Sequence, residues 1–195
     1  MQIKLITKSG KALEPYLDDL ARLRLTVFRE YPYLYEGTAE YEHRYLQAYM
    51  ANDRAIAILA FDGDKVIGAS TGVPLEDEHD AFIQAFTKQG ISPQDFFYCG
   101  ESVLLPEYRG QGLYKSFFLG REQCARELGF AHICFCAVVR PDDHPAKPDN
   151  YVALNDVWCH FGYQPVHALI THFSWTDIGQ AEQSEHPMQF WMKDL

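Results

Sequence analysis

The sequence predicts an α/β fold built around one mixed sheet of about six to seven strands flanked by helices. Two local patterns predict it. The run Ala55–Phe61, Asp62-Gly63-Asp64, Lys65–Val73 reads as a hairpin, so part of the sheet must be antiparallel. The strand–helix–strand run over residues 96–139 needs a crossover, so another part must be parallel.

In chain order, residues 2–7 alternate enough for a first strand. Leu13, Leu17, Leu20, Leu23 and Val27 repeat at helical spacing, and Pro32 bars that helix from continuing. Thr38 is placed to cap a second helix whose face is Tyr41, Tyr45 and Tyr49. After the hairpin, residues 74–95 read as an acidic loop and a short helix around Phe82 and Phe86. Phe96–Leu105 reads as one strand. The long helix after it presents Leu113, Phe117, Gly120, Cys124 and Leu128, and Gly129 ends it. His132–Val139 lacks polar alternation and should be central in the sheet. A proline-rich loop spans 140–149. A helix with Leu154, Val157, Trp158 and Phe161 stops at Gly162. Ala168–Trp175 and Gln189–Asp194 read as the last two strands.

A chain of 195 residues fits a single domain over 1–195. A net charge of -10 argues against nucleic acid as a partner, since binding it calls for a basic face. No apolar run is long enough to span a membrane, and the first ten residues read as strand and turn rather than a signal peptide. Five cysteines, an odd number scattered in apolar segments, suit reduced thiols in a cytoplasmic protein. Cys134 and Cys136 face the same way on a strand, but no second Cys/His pair stands at zinc spacing, so no metal is expected.

The most informative segment is Val103-Leu-Leu-Pro-Glu-Tyr-Arg-Gly-Gln-Gly-Leu113. A strand end runs through Pro106 into a turn, Arg109-Gly110-Gln111-Gly112, from which the long helix starts. A helix start leaves backbone N–H groups without partners and carries the positive end of the dipole. Two glycines keep Cβ atoms out of the way, and Arg109 adds a cation, so the turn suits a pyrophosphate. The P-loop ending Gly-Lys-Ser/Thr and the three-glycine dinucleotide fingerprint are both missing.

The arrangement resembles the acetyl-CoA motif of the GNAT N-acetyltransferases, and the element order is similar to that fold over nearly the whole chain. The resemblance implies that the motif strand splays from its neighbour, so that Val103, Leu104 and Leu105 bind the pantetheine arm of acetyl-CoA. It implies that Arg109, Gly110, Gln111, Gly112, Leu113, Tyr114 and Lys115 bind the pyrophosphate. Asn150 or Asn155 would bond the pantetheine amides. In many members a tyrosine stands four residues before a Gly-aromatic pair and protonates the departing thiolate. Here the pair is Gly162-Tyr163, and the tyrosine's place holds Trp158, whose indole is no acid but can pack beside the cofactor. Tyr151, Tyr114 and His144 are the possible substitutes. Tyr114 also stands where the family usually has a small residue.

Acetylating an amine requires a neutral amine, donors for the oxyanion and a proton for the thiolate. Glu101, on the motif strand among small and apolar neighbours, is the candidate base, with His144 next. An ordinary ion pair is the equal alternative for Glu101. By the resemblance, the acceptor wall draws on the first helices and late loops, which places Tyr33, Tyr35, Glu36, Asp143 and His144 there. Aromatics beside carboxylates suit an ammonium. The expected protein is an N-acetyltransferase acting on a small-molecule or peptide amine, as a monomer or homodimer. Two other readings stand beside it: a non-catalytic acyl-CoA sensor, and an enzyme holding some other phosphorylated ligand.

Overall fold

The computed structural model describes residues 3–195, so Gln2 of the expected first strand lies outside the described residues. Strands β1 (Ile3–Ser9), β2 (Ile56–Asp62) and β3 (Lys65–Pro74) are consecutive antiparallel neighbours. Helices α1 (Leu17–Val27) and α2 (Ala39–Met50) lie between β1 and β2, and the Thr38 side chain accepts from the Tyr41 N–H to cap α2. Helix α3 (Asp80–Thr87) precedes β4 (Phe96–Tyr98) and β5 (Ser102–Leu104). Then come α4 (Leu113–Glu127), β6 (His132–Val138), α5 (Asn155–His160), β7 (Gln164–Thr176) and β8 (Gln183–Asp194).

The sheet has eight strands in the order β1-β2-β3-β4-β6-β8-β7, with β5 also pairing with β3. That exceeds the expected six to seven because the motif strand is two strands. Cys99-Gly100-Glu101 interrupts it. β4 runs parallel to β6, with Tyr98 opposite Cys134, and the last bond is Cys99 N–H to the Cys134 carbonyl at 2.8 Å. β5 then follows β3 alone, with Ser70 opposite Ser102 and Gly68 opposite Leu104, while β6 continues against β8. The two central strands therefore diverge at Gly100–Glu101.

β6 is central, as its apolar sequence implies. Ile133 and Phe135 enter one core cluster with α1, α2 and α4, and Cys134, Cys136 and Val138 enter a second under α3. Burial pushes the Cys136 thiol up to about 12, with Tyr98 pulling it down and Glu78 pushing it up.

Two helix faces differ from expectation. In α2 the buried residues are Glu42, Leu46 and Met50, and Tyr41 is exposed. In α4 they are Leu113, Phe117, Phe118, Arg121, Glu122 and Ala125, with Leu128 exposed. Both helices turn polar residues inward because partners await them there. Lys193 meets Glu122 at 2.8 Å, and Ser102 accepts from Arg121 at 2.8 Å. The β7–β8 hairpin is also longer than its apolar residues indicate, because its polar outer stretch Gln183–His186 still pairs with Phe173–Thr176.

Candidate active site

The turn before α4 has the conformation a backbone anion site needs. Gly110 and Gly112 have φ of 73° and 80°, the left-handed region that glycine occupies without strain. A Cβ at either would meet nothing within 4 Å, so backbone conformation, not crowding, requires glycine there. The N–H of Lys115 closes onto the Gly112 carbonyl at 3.1 Å. Among the described residues, the N–H groups of Gly110 to Tyr114 bond to no carbonyl. Arg109 is held from both sides: its Nε donates to the Leu104 carbonyl at 3.1 Å and its guanidinium meets Glu30 at 2.8 Å. Gln111 and Lys115 are exposed, while Tyr114 is half-buried, edge-on to Phe118.

Where β4–β5 and β6 part, a cavity of about 390 Å³ opens, lined at the divergence by Gly100, Glu101 and Cys136. Tyr33, Tyr35 and Glu36 line it as well. Tyr35 donates to Glu42 at 2.8 Å, and Glu36 pairs with Arg29 at 2.6 Å. The wall formed by residues 32–35 is pinned by Arg140, which donates to the carbonyls of Pro32 and Tyr33 and forks onto Asp177 at 2.8 and 2.9 Å. Burial pushes the Tyr33 hydroxyl far above its ordinary range, and nearby Cys136, Tyr114 and Glu101 push it further.

Glu101 is buried and ion-paired with Arg24, which also binds the fully buried Glu42. One guanidinium thus serves two carboxylates. Burial raises the Glu101 carboxyl; Arg24 and Thr71 oppose this, and Glu42 adds to it. The structure thus forms the ion pair that the sequence left as the alternative for this residue.

A third carboxylate lines the same cavity and carried no distinguishing mark in the sequence. Glu78 precedes α3 and is half-buried, accepting from the His79 N–H at 3.0 Å. Among the described residues it has no cationic partner. Burial pushes its carboxyl up to about 7; the His79 N–H and Arg24 pull it down, and Glu101 and Asp77 push it up. It lines the cavity together with Tyr45, Tyr98 and Cys136, and its charge raises all three.

The other sequence candidates lie elsewhere. His144 sits on the long loop against Tyr31, its Nδ1 accepting from the Ala146 N–H, and Asp143 is exposed. Neither is among the cavity's lining residues. Tyr151 packs edge-on against the same Tyr31. Asn150 and Asn155 are exposed, Asn155 at the start of α5. Trp158 packs against Phe135 and Trp191 at the edge of the hydrophobic core and is not among the cavity's lining residues.

No protein-family model matches the sequence, and no curated protein does. Solved structures do match. The ribosomal-protein-alanine N-acetyltransferase of Brucella melitensis superposes with a TM-score of 0.61 at 13% identity, covering 97% of this chain and 99% of that one. An acetyltransferase from Streptococcus agalactiae gives 0.60 at 15% identity, with 98% of both chains covered. A GNAT-family acetyltransferase from Streptococcus pneumoniae gives 0.57 at 13%, covering 98% and 100%. The chain has the GNAT acetyltransferase fold.

Proposed function

We propose that the protein is an N-acetyltransferase that moves an acetyl group from acetyl-CoA to a primary amine. The observation that supports this most is the divergence of β5 from β6, which opens main-chain edges between a helix-start cradle and a carboxylate-lined cavity. The amides of Gly110 to Tyr114 would hold the pyrophosphate, and Val103, Leu104 and Leu105 the pantetheine arm. Acetyl-CoA, when bound, supplies an activated thioester. Glu78 takes the proton from the incoming ammonium, since a carboxylate of pKa about 7 is matched to that task near neutrality. Glu101 is a positioning residue that acts through Arg24. Tyr114, on the first turn of α4, is the proton donor to the sulfur; its rivals Tyr151 and His144 stay against Tyr31.

Calorimetry with CoA tests the cradle. Gly112→Asn keeps a residue that tolerates the left-handed region yet puts a side chain before the amides. It should weaken CoA binding at least ten-fold, for which ~1.4 kcal/mol suffices. Gly112→Val is the poorer test, since a branched residue there adds a backbone cost of ~1–2 kcal/mol. Normal CoA affinity in folded Gly112→Asn would remove the cradle assignment. Acetylation of any member of a primary-amine panel would support turnover, whereas CoA binding with no acetylation would favour a sensor.

Tyr114→Phe should lower turnover roughly ten-fold and leave the Michaelis constant for acetyl-CoA near its original value. That is less than general acids usually contribute, because a thiol of pKa ~8.5 already leaves readily. Unchanged turnover would pass the proton to water.

A further inference from the structure

The cavity's walls say more about the acceptor than that it is an amine. Six rings follow one another around it: Phe28, Tyr33, Trp175, Phe173, Phe82 and Tyr98. Successive centroids are 4.8, 5.9, 6.5, 5.6 and 5.3 Å apart, so the wall is continuous aromatic surface. The charged residues of the lining are Arg24, Glu36, Arg44, Glu78 and Glu101, and Glu36 is paired with Arg29. Arg24 is divided between Glu42 and Glu101, and Glu78 adds a further carboxylate with no cation of its own. Two carboxylates thus divide one buried guanidinium, and among the described residues the third, Glu78, has no ion-pair partner. Arg44 also lines the cavity, but it is exposed.

Resting on the acetyltransferase reading, we infer that the acceptor is a small monoamine with an aromatic body, an arylalkylamine, whose ammonium meets Glu78 while its ring lies on the aromatic wall. A polyamine or an amino sugar would need polar or acidic partners along its whole length. Away from Glu78 and Glu101 the lining carries nine Phe, Tyr and Trp rings, its remaining carboxylate Glu36 is already paired with Arg29, and Thr38, Ser174, Thr176 and Gln183 are neutral, so a second ammonium would find no free carboxylate. An aromatic body trades water for rings, and its ammonium gains from the ring faces as well as from the carboxylate. A volume of about 390 Å³ is at the lower end for sites that take small organic ligands, so the body is one or two rings.

Calorimetry on the intact protein decides it, with and without saturating CoA. The probes are tryptamine, phenethylamine, spermidine and the uncharged isostere 2-phenylethanol. We expect both arylalkylamines to bind at least ten-fold more tightly than spermidine and than 2-phenylethanol. Glu78→Gln should remove most of the advantage over the alcohol. Phe173→Ala should weaken both arylalkylamines about ten-fold without changing the affinity for CoA. Equal or tighter binding of spermidine, or no arylalkylamine binding at millimolar concentration, overturns the inference even if CoA binds and aliphatic amines are acetylated. If arylalkylamines bind as expected while CoA does not, the pocket assignment stands and the acetyltransferase reading falls.

Discussion

Glu78→Gln should lower turnover by ~10²-fold, the lower end of what general base catalysis contributes, while CoA affinity is kept. The pH dependence is the sharper readout. The carboxylate works only when deprotonated, and burial holds its carboxyl at about 7. In the original protein kcat/KM should therefore fall as the pH drops through about 7. Around Glu78 stand Asp77 and His79 on its own segment, Arg24 on α1, Tyr45 on α2, and Tyr98, Glu101 and Cys136 across the sheet. Burial sets Tyr45, Tyr98 and Cys136 well above neutrality, so none of these three titrates near pH 7. With glutamine at 78, the inflection near 7 should vanish and the residual rate should follow only the ionisation of the amine. A folded variant that kept both its turnover and the inflection would pass the base role to Glu101.

Arg24→Met should have the largest effect on stability. It leaves Glu42 and Glu101 facing each other in the core without a cation. Breaking a buried pair in this way costs about 3–5 kcal/mol. For a domain of this size that lowers the melting temperature by roughly 10 °C. The sign with pH is fixed. Burial raises the Glu101 carboxyl and the variant removes the Arg24 charge that opposes this, so it should gain stability as the pH falls from 7.5 to 5 and lose it as the pH rises. Adding Glu42→Gln and Glu101→Gln to Arg24→Met should recover much of the loss, since neutral groups need no counter-charge. If melting shows no loss for Arg24→Met, or no recovery in the triple variant, the shared ion pair does not hold this core together.

Arg24 and Glu42 left a trace in the sequence that helical spacing alone did not single out. Arg24 interrupts the stripe of Leu17, Leu20, Leu23 and Val27, and Glu42 shares a helical spacing with Leu46 and Met50. A charge inside an apolar stripe signals a buried partner, but one-dimensional spacing does not name it, because the partner stands on another element. Glu78 gave no signal. It is one of three acidic residues in Glu76-Asp77-Glu78, and only packing distinguishes them: Asp77 and Glu76 meet Arg54, while Glu78 lines the cavity and, among the described residues, has no ion-pair partner. Likewise Phe173 and Trp175 read as strand residues with no hint that they close a ring wall with Phe82 and Tyr33.

What the sequence determined by itself was whatever depends on neighbouring residues. Hairpin spacing, helical periodicity and the Arg-Gly-Gln-Gly turn are local, and they set the mixed sheet, the helices and the two left-handed glycines before α4. The tertiary structure alone decided what depends on distant segments meeting. It broke the motif strand at Gly100–Glu101, because β3 and β6 pull its two halves onto different neighbours. It bound Glu101 to Arg24 rather than leaving it free, because a buried carboxylate that can reach a cation will pair with it. And it left Glu78 in the cavity with no cation of its own among the described residues, which makes it the carboxylate available to a ligand.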